Sequence, residues 1–124
     1  MIKHWTPFEG SAYGTKRHRA RVTLTRGKMM TFNRRAHEAL GKPEAVRFFF
    51  DKHLKRIGVM AEKPDSPSAF VMQQRKEYSY RVVRASAFCG HFGIEPEATV
   101  AFFDVSVDGE GVMTLDLMSA TRLR

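Results

Sequence analysis

The sequence predicts a mainly β protein with two short helices, built from two copies of one ββαββ unit. The segment Pro43–Asp51 recurs as Pro96–Asp104, with six of nine residues identical at a spacing of 53. Gly58-Val59-Met60 recurs at the same spacing as Gly111-Val112-Met113. Short runs rich in β-branched and aromatic residues, separated by Gly- and Pro-containing turns, are typical of strands. Two repeats in one register indicate an internal duplication.

The repeat divides the chain into a basic N-terminal segment (1–19), a first unit (20–62), a linker (63–68), a second unit (69–117) and a C-terminal tail (118–124). A unit of about 45 residues cannot bury enough apolar surface to fold alone. We therefore expect one compact domain in which both units share a core and are related by an approximate two-fold axis. The expected shape is a small closed or nearly closed barrel.

The first unit predicts two hairpins joined by a short helix. Its elements are a strand at 21–25, a turn at 26–28, a strand at 29–32, a helix at 34–40 and strands at 46–50 and 56–60. Asn33 suits the N-cap of the helix. Gly41 suits the left-handed position that ends it, and Pro43 prevents its continuation.

The second unit predicts the same order. Its elements are strands at 69–72 and 79–83, a helix at 86–92 and strands at 99–103 and 112–117, with Ile94 as a one-residue insertion relative to the first unit. The apolar positions of both units predict a shared core of Val22, Leu24, Met30, Phe32, Leu40, Val46, Phe48, Phe50, Ile57, Val59, Val71, Val82, Phe88, Phe92, Val100, Phe102, Val112 and Leu115.

The positive charge is concentrated at the start of the chain. The formal net charge is +8, and residues 1–35 hold nine Lys and Arg against one acid, Glu9. The remaining residues hold 12 of each sign, so the whole excess belongs to the first 35 residues. Such asymmetry indicates a surface for a polyanion, most often nucleic acid.

The first unit resembles the AbrB/MazE-type swapped-hairpin domain. The resemblance is carried by Arg26–Asn33, Ala39–Val46 and Ile57–Met60, and it extends more weakly over the second unit. Members of that family are typically homodimers of interlaced ββαββ chains that bind DNA as transcription regulators or antitoxins. The resemblance implies a pseudo-twofold swapped-hairpin barrel in one chain, with the basic residues of the first hairpin facing double-stranded DNA.

Lys and Arg neutralise phosphates, and Arg can also read guanine in the major groove. We predict that the first unit and its N-terminal flank bind DNA through Lys16, Arg17, Arg19, Arg21, Arg26, Lys28, Arg34 and Arg35. The second unit is expected to form a weaker half-site with Arg75, Lys76, Arg81 and Arg84. Trp5, Phe8 and Tyr13 suit either base stacking or packing of the N-terminal segment onto the barrel.

The residue inventory favours neither an enzyme nor a metalloprotein. Cys89-Gly90-His91 is the only close Cys/His pair, whereas zinc sites need about four ligands. The repeated acids, Asp51 and Asp104 among them, suit loop hydrogen bonds better than acid–base catalysis. No catalytic residue, metal site or cofactor is therefore predicted.

One cysteine and the lack of a long apolar run predict a cytoplasmic protein. The leading hypothesis is a DNA-binding regulator or antitoxin. The alternative is a non-catalytic interaction module whose basic segment docks an acidic protein partner, and the Phe-rich strands also permit self-association.

Overall fold

The computed structural model describes residues 19–75 and 79–123, and this part of the chain is mainly β with two helices. Its elements are β1 (Arg21–Leu24), β2 (Met29–Phe32), α1 (Arg34–Ala39), β3 (Ala45–Asp51), β4 (Arg56–Glu62), β5 (Phe70–Val71), β6 (Gln73–Gln74), β7 (Arg81–Arg84), α2 (Ser86–Phe92), β8 (Val100–Phe103), β9 (Met113–Asp116) and β10 (Thr121–Arg122). The predicted helices and the first-unit strands lie where the sequence places them, to within a residue or two.

The local signals of the first unit act as predicted. Asn33 caps α1, because its side chain accepts a hydrogen bond from the Ala36 amide at 2.9 Å. Gly41 follows the helix with φ of +90°, a conformation that costs glycine little. In the β1–β2 turn, the Lys28 amide donates to the Thr25 carbonyl at 2.9 Å.

The strands form two antiparallel sheets. Sheet A has the strand order β10-β8-β1-β2-β7-β6, and sheet B has the order β5-β3-β4-β9. The inner faces of both sheets contribute to one core, with Val22, Leu24 and Phe32 from sheet A and Ile57 and Val59 from sheet B. α2 contributes to this core through Phe88, which stacks on Phe48 of β3 with ring centroids 5.0 Å apart.

The two sheets do not close into the expected barrel. Closure requires β8 to pair with β9 as β3 pairs with β4, but both edges of β8 are occupied by β1 and β10. β9 pairs with β4 instead. The structure thus corrects the prediction of a closed or nearly closed barrel, and β10, which occupies the second edge of β8, lies within the part of the chain expected to be a tail.

The repeated motifs present opposite faces in the two units. Phe49 is 40% exposed, whereas Phe102, its counterpart at the spacing of 53, is 4% exposed. Val59 is buried while Val112 is not, and Met113 is buried in its place. Successive strand residues face opposite sides of a sheet, so an odd shift in register exchanges the faces. Ile94, at which the sequence spacing between the two segments changes from 52 to 53, is itself buried.

The prediction of a core position is wrong for two residues, Val112 and Val71. Val112 lies half-buried on the outer side of sheet B. Val71 is 56% exposed, and its neighbour Met72 is buried instead, with its amide bonded to the Glu44 carbonyl at 2.9 Å. Met72 lies between β5, which pairs with sheet B, and β6, which pairs with sheet A. The crossing between sheets at this residue turns its side chain inward.

Candidate functional site

An open groove of about 930 Å³ lies on the outer face of sheet A. Thr23 of β1 and Thr31 of β2, which are directly opposite each other in the ladder, both line it. Arg21, Arg34 and Arg35 supply its cations. Its other lining residues are Asn33, Glu38, Ser79, Tyr80 and Phe103. We call this surface the basic groove.

The side chain of Asn33 links two of the elements that line the basic groove. Its side-chain oxygen accepts hydrogen bonds from the Arg21 amide at 3.0 Å and the Ala36 amide at 2.9 Å. Its side-chain nitrogen donates to the Arg19 carbonyl at 2.8 Å. One side chain therefore links the start of β1 to the start of α1. This linkage sets the spacing between Arg21 on the strand and the two arginines of the helix.

Cations outnumber acids around the groove. Arg34 donates from Nε to the Glu38 carboxylate at 3.2 Å, and Glu38 is the acid among the described lining residues. Arg19, next to the groove, pairs with Asp104 at 3.0 Å. Arg21 and Arg35 are exposed. Exposed ion pairs contribute little free energy. A polyanion can therefore replace Glu38 as the partner of Arg34, or Asp104 as the partner of Arg19, with a small loss of free energy.

The predicted site residues fall into three sets. Six lie at the end of sheet A that carries the groove, as the strand register shows: Arg19, Arg21, Arg34, Arg35, Arg75 and Arg81. Three lie at the opposite end, by the β1–β2 turn: Arg26, Lys28 and Arg84. The ends are separated by the length of β1, about 14 Å. Lys16, Arg17 and Lys76 lie outside the described residues, as do Trp5, Phe8 and Tyr13.

Among its described residues, the second unit lacks the features that form the groove in the first. α2 begins with Ser86 and Ala87 where α1 has Arg34 and Arg35, and its N-cap residue Ala85 makes no side-chain capping bond. The register places Arg75 and Arg81 at the groove end of sheet A, because Gln74 and Phe32 both pair with Arg81. Arg81 shares the core-side face of its partner Phe32, however, and neither Arg75 nor Arg81 lines the groove.

Sequence reasoning missed the uncharged part of the groove. Thr23, Thr31, Tyr80 and Phe103 all line it. The alternation of Val22 and Leu24 with Thr23 already indicated that threonine faces away from the core. No sequence signal indicated Phe103, because the exchange of faces in the second unit decides its position.

The other polar candidates are engaged in local structure. His37 is buried and donates from Nε2 to the Pro43 carbonyl at 2.9 Å. Asp51 accepts hydrogen bonds from the His53 and Leu54 amides, both at 3.0 Å, as expected of a loop residue. Burial raises the pKa of the Cys89 thiol, and the nearby Lys28 opposes that shift. A buried thiol with a raised pKa is a poor nucleophile.

No three His, Cys, Asp or Glu side chains within 19–75 and 79–123 are grouped so that they could hold a metal ion. The same ranges contain no helix that is both long and apolar enough to span a membrane. Comparisons of the chain with protein-family models, curated proteins and solved structures found no match. The basic groove is therefore the feature from which a function can be argued.

Proposed function

We propose that the protein is a non-catalytic DNA-binding protein that contacts the phosphate backbone through the basic groove. The observation that carries this proposal is the convergence of Arg21, Arg34 and Arg35 on one groove whose lining includes the hydroxyl side chains of two threonines. Guanidinium groups bind phosphate through charge and paired hydrogen bonds, and threonine hydroxyls also bond to phosphate oxygens. Arg19 pairs with Asp104 next to the groove, and Arg75 and Arg81 lie at the same end of sheet A outside the groove lining.

The strand pairing supports a relation to the swapped-hairpin architecture. β1 of the first unit pairs with β8 of the second, and β5 of the second unit pairs with β3 of the first. β2 pairs with β7 and β4 with β9, which are the pairings between equivalent strands that a two-fold axis requires. We infer an AbrB/MazE-type ancestor whose two interlaced chains became one, and a role as a transcription regulator or antitoxin.

The test is the binding of fluorescently labelled random duplex DNA across a salt series. Wild-type affinity is expected at about 1 µM or tighter at low salt, with log K falling linearly as log salt rises. The groove variant Arg34→Ala/Arg35→Ala should lower that slope by about two units, since each lost phosphate contact removes about 0.9. The matched control, Arg26→Ala/Lys28→Ala, removes the same charge at the turn end of the same hairpin.

The comparison of these two variants decides the proposal. If both lose the same affinity, the chain binds DNA through its net charge and the groove has no special part. If the wild type binds neither duplex nor single strand at low salt, the DNA proposal fails. An acidic protein partner would then be the ligand to seek for the same surface.

A further inference from the structure

The outer face of sheet B differs from an ordinary solvent-facing sheet surface. Antiparallel sheets commonly turn one polar face to water. Here the middle of that face is apolar: Phe49 of β3 is 40% exposed, and Met60 of β4 and Val112 beside β9 are half-buried. The core of the protein lies on the other side of this sheet, where Phe48, Ile57 and Val59 point inward. We call this surface the sheet B outer face.

Gly58 brings the apolar residues of this face together. It is directly opposite Phe49 in the β3–β4 ladder. A Cβ atom at Gly58 would lie 3.2 Å from Val112 Cγ1 and 3.5 Å from Phe49 Cβ. Phe49 and Val112 therefore converge over a position with no side chain, and the guanidinium of Arg47 lies 4.8 Å from the Phe49 ring centroid. The result is an apolar patch in the middle of the sheet B outer face.

An ion pair borders each end of this patch. Arg47 Nη1 lies 3.7 Å from Glu62 Oε2 at one end. Arg56 Nε lies 3.6 Å from Asp116 Oδ2 at the other. An apolar centre with a polar rim is the usual arrangement of a protein–protein interface. The two ion pairs have a net charge of zero. They therefore add nothing to the electrostatic repulsion between two copies of a chain whose net charge is +8.

We propose that the sheet B outer face binds a second copy of this chain. The two copies would be related by a two-fold axis that lies in the plane of the interface and runs perpendicular to the strands. This axis places β4 of one copy over β4 of the other, in the antiparallel direction. It brings Glu62 of each chain over Arg56 of the other, and Phe49 over Arg47. The face is therefore complementary to itself in charge, as an isologous contact requires. Aligned packing of two sheets about 10 Å apart fits this geometry.

The proposed dimer would contain two basic grooves. The groove lies on the outer face of sheet A, on the side of the molecule away from the sheet B outer face. Two chains joined through sheet B would carry one groove on each far side. The dimer does not depend on DNA binding, so the two proposals can fail separately.

Sedimentation velocity of the full chain, without DNA and over a range of concentrations, tests the dimer. The wild type is expected to reach twice the 14.2 kDa chain mass at tens of micromolar. Phe49→Asp should remain monomeric. Leu54→Asp is the matched control, because Leu54 is 51% exposed but lies in the β3–β4 turn beyond the face; it should dimerise like the wild type. Circular dichroism checks that both variants fold.

A charge exchange identifies the contact. Glu62 and Arg56 are six residues apart on β4, about 20 Å, and so do not meet within one chain. Glu62→Arg alone and Arg56→Glu alone should each weaken dimerisation at least tenfold. The double variant should recover most of it, although both ion pairs within the chain remain broken. A monomeric wild type, a dimer indifferent to Phe49→Asp, or a double variant no better than the singles would each overturn the proposal.

Discussion

Asn33 shows how one residue connects folding to the candidate site. It caps α1 and also bonds to the backbone of Arg19 and Arg21, so it acts on a helix and on a strand at once. The sequence predicts the cap, because Asn is favoured at that position. It does not predict the two bonds to β1. Those depend on the strand start lying beside the helix start, which only the packed structure establishes.

We expect Asn33→Ala to lower the free energy of unfolding by about 1–2 kcal/mol, the usual effect of losing an N-cap. Urea unfolding followed by circular dichroism measures the change. Asn33→Asp is the control: it keeps the oxygen that accepts from Ala36 and Arg21 but loses the donor to the Arg19 carbonyl, so its loss should be smaller. Equal stability of Asn33→Ala and the wild type would show that the three bonds contribute little.

At the scale of elements, β10 is a short strand that covers one edge of a longer one. It is two residues long and occupies the edge of β8 opposite β1. Leu123 extends the contact, since its amide donates to the Thr99 carbonyl at 2.8 Å. An uncovered strand edge favours pairing with other chains. β10 therefore covers an edge of β8 in sheet A.

A chain that ends at Ala120 should be less stable and more prone to aggregate. Removing residues 121–124 eliminates the hydrogen bonds of β10, which are worth roughly 1–3 kcal/mol in total at about 0.5–1.5 kcal/mol each. Thermal unfolding and light scattering measure the two effects. Thr121→Ala with the full C-terminus is the control, because it keeps the backbone bonds. A truncated chain that matches this control in both measurements would contradict the role given to β10.

At the scale of the whole molecule, the two units cannot be separated without breaking both sheets. β1 pairs with β8 and β3 with β5, so each unit completes a sheet begun by the other. The core likewise draws on both, with Phe32 and Ile57 from the first unit and Phe88 and Met113 from the second. Such interlacing makes folding dependent on contacts distant in sequence.

We expect the fragments 1–65 and 66–124 to be unfolded when each is produced alone, because neither contains a complete sheet or core. Mixing them should restore the circular dichroism and the heteronuclear NMR dispersion of the intact chain. The intact chain cut at a protease site inserted in the linker is the control, since it begins from the folded state. A dispersed NMR spectrum from either fragment alone would contradict this expectation.

The sequence by itself determined the two helices, the strands of the first unit and the location of the positive charge. Strand alternation, the Asn33 cap and Gly41 act between near neighbours, so they can be read without the fold. The arginines at 34 and 35 are in the same way assigned to the start of a helix by their position after Asn33.

Only the tertiary structure decided which faces those elements present. The same Phe-Phe-Asp motif turns Phe49 outward and Phe102 inward, because Phe49 pairs with Gly58 on the outer face of sheet B and Phe102 pairs with Val22 on the core face of sheet A. The structure also divided one predicted basic surface into a groove end and a turn end. These outcomes depend on strand pairing over long sequence separations, and no short segment of the chain contains that information.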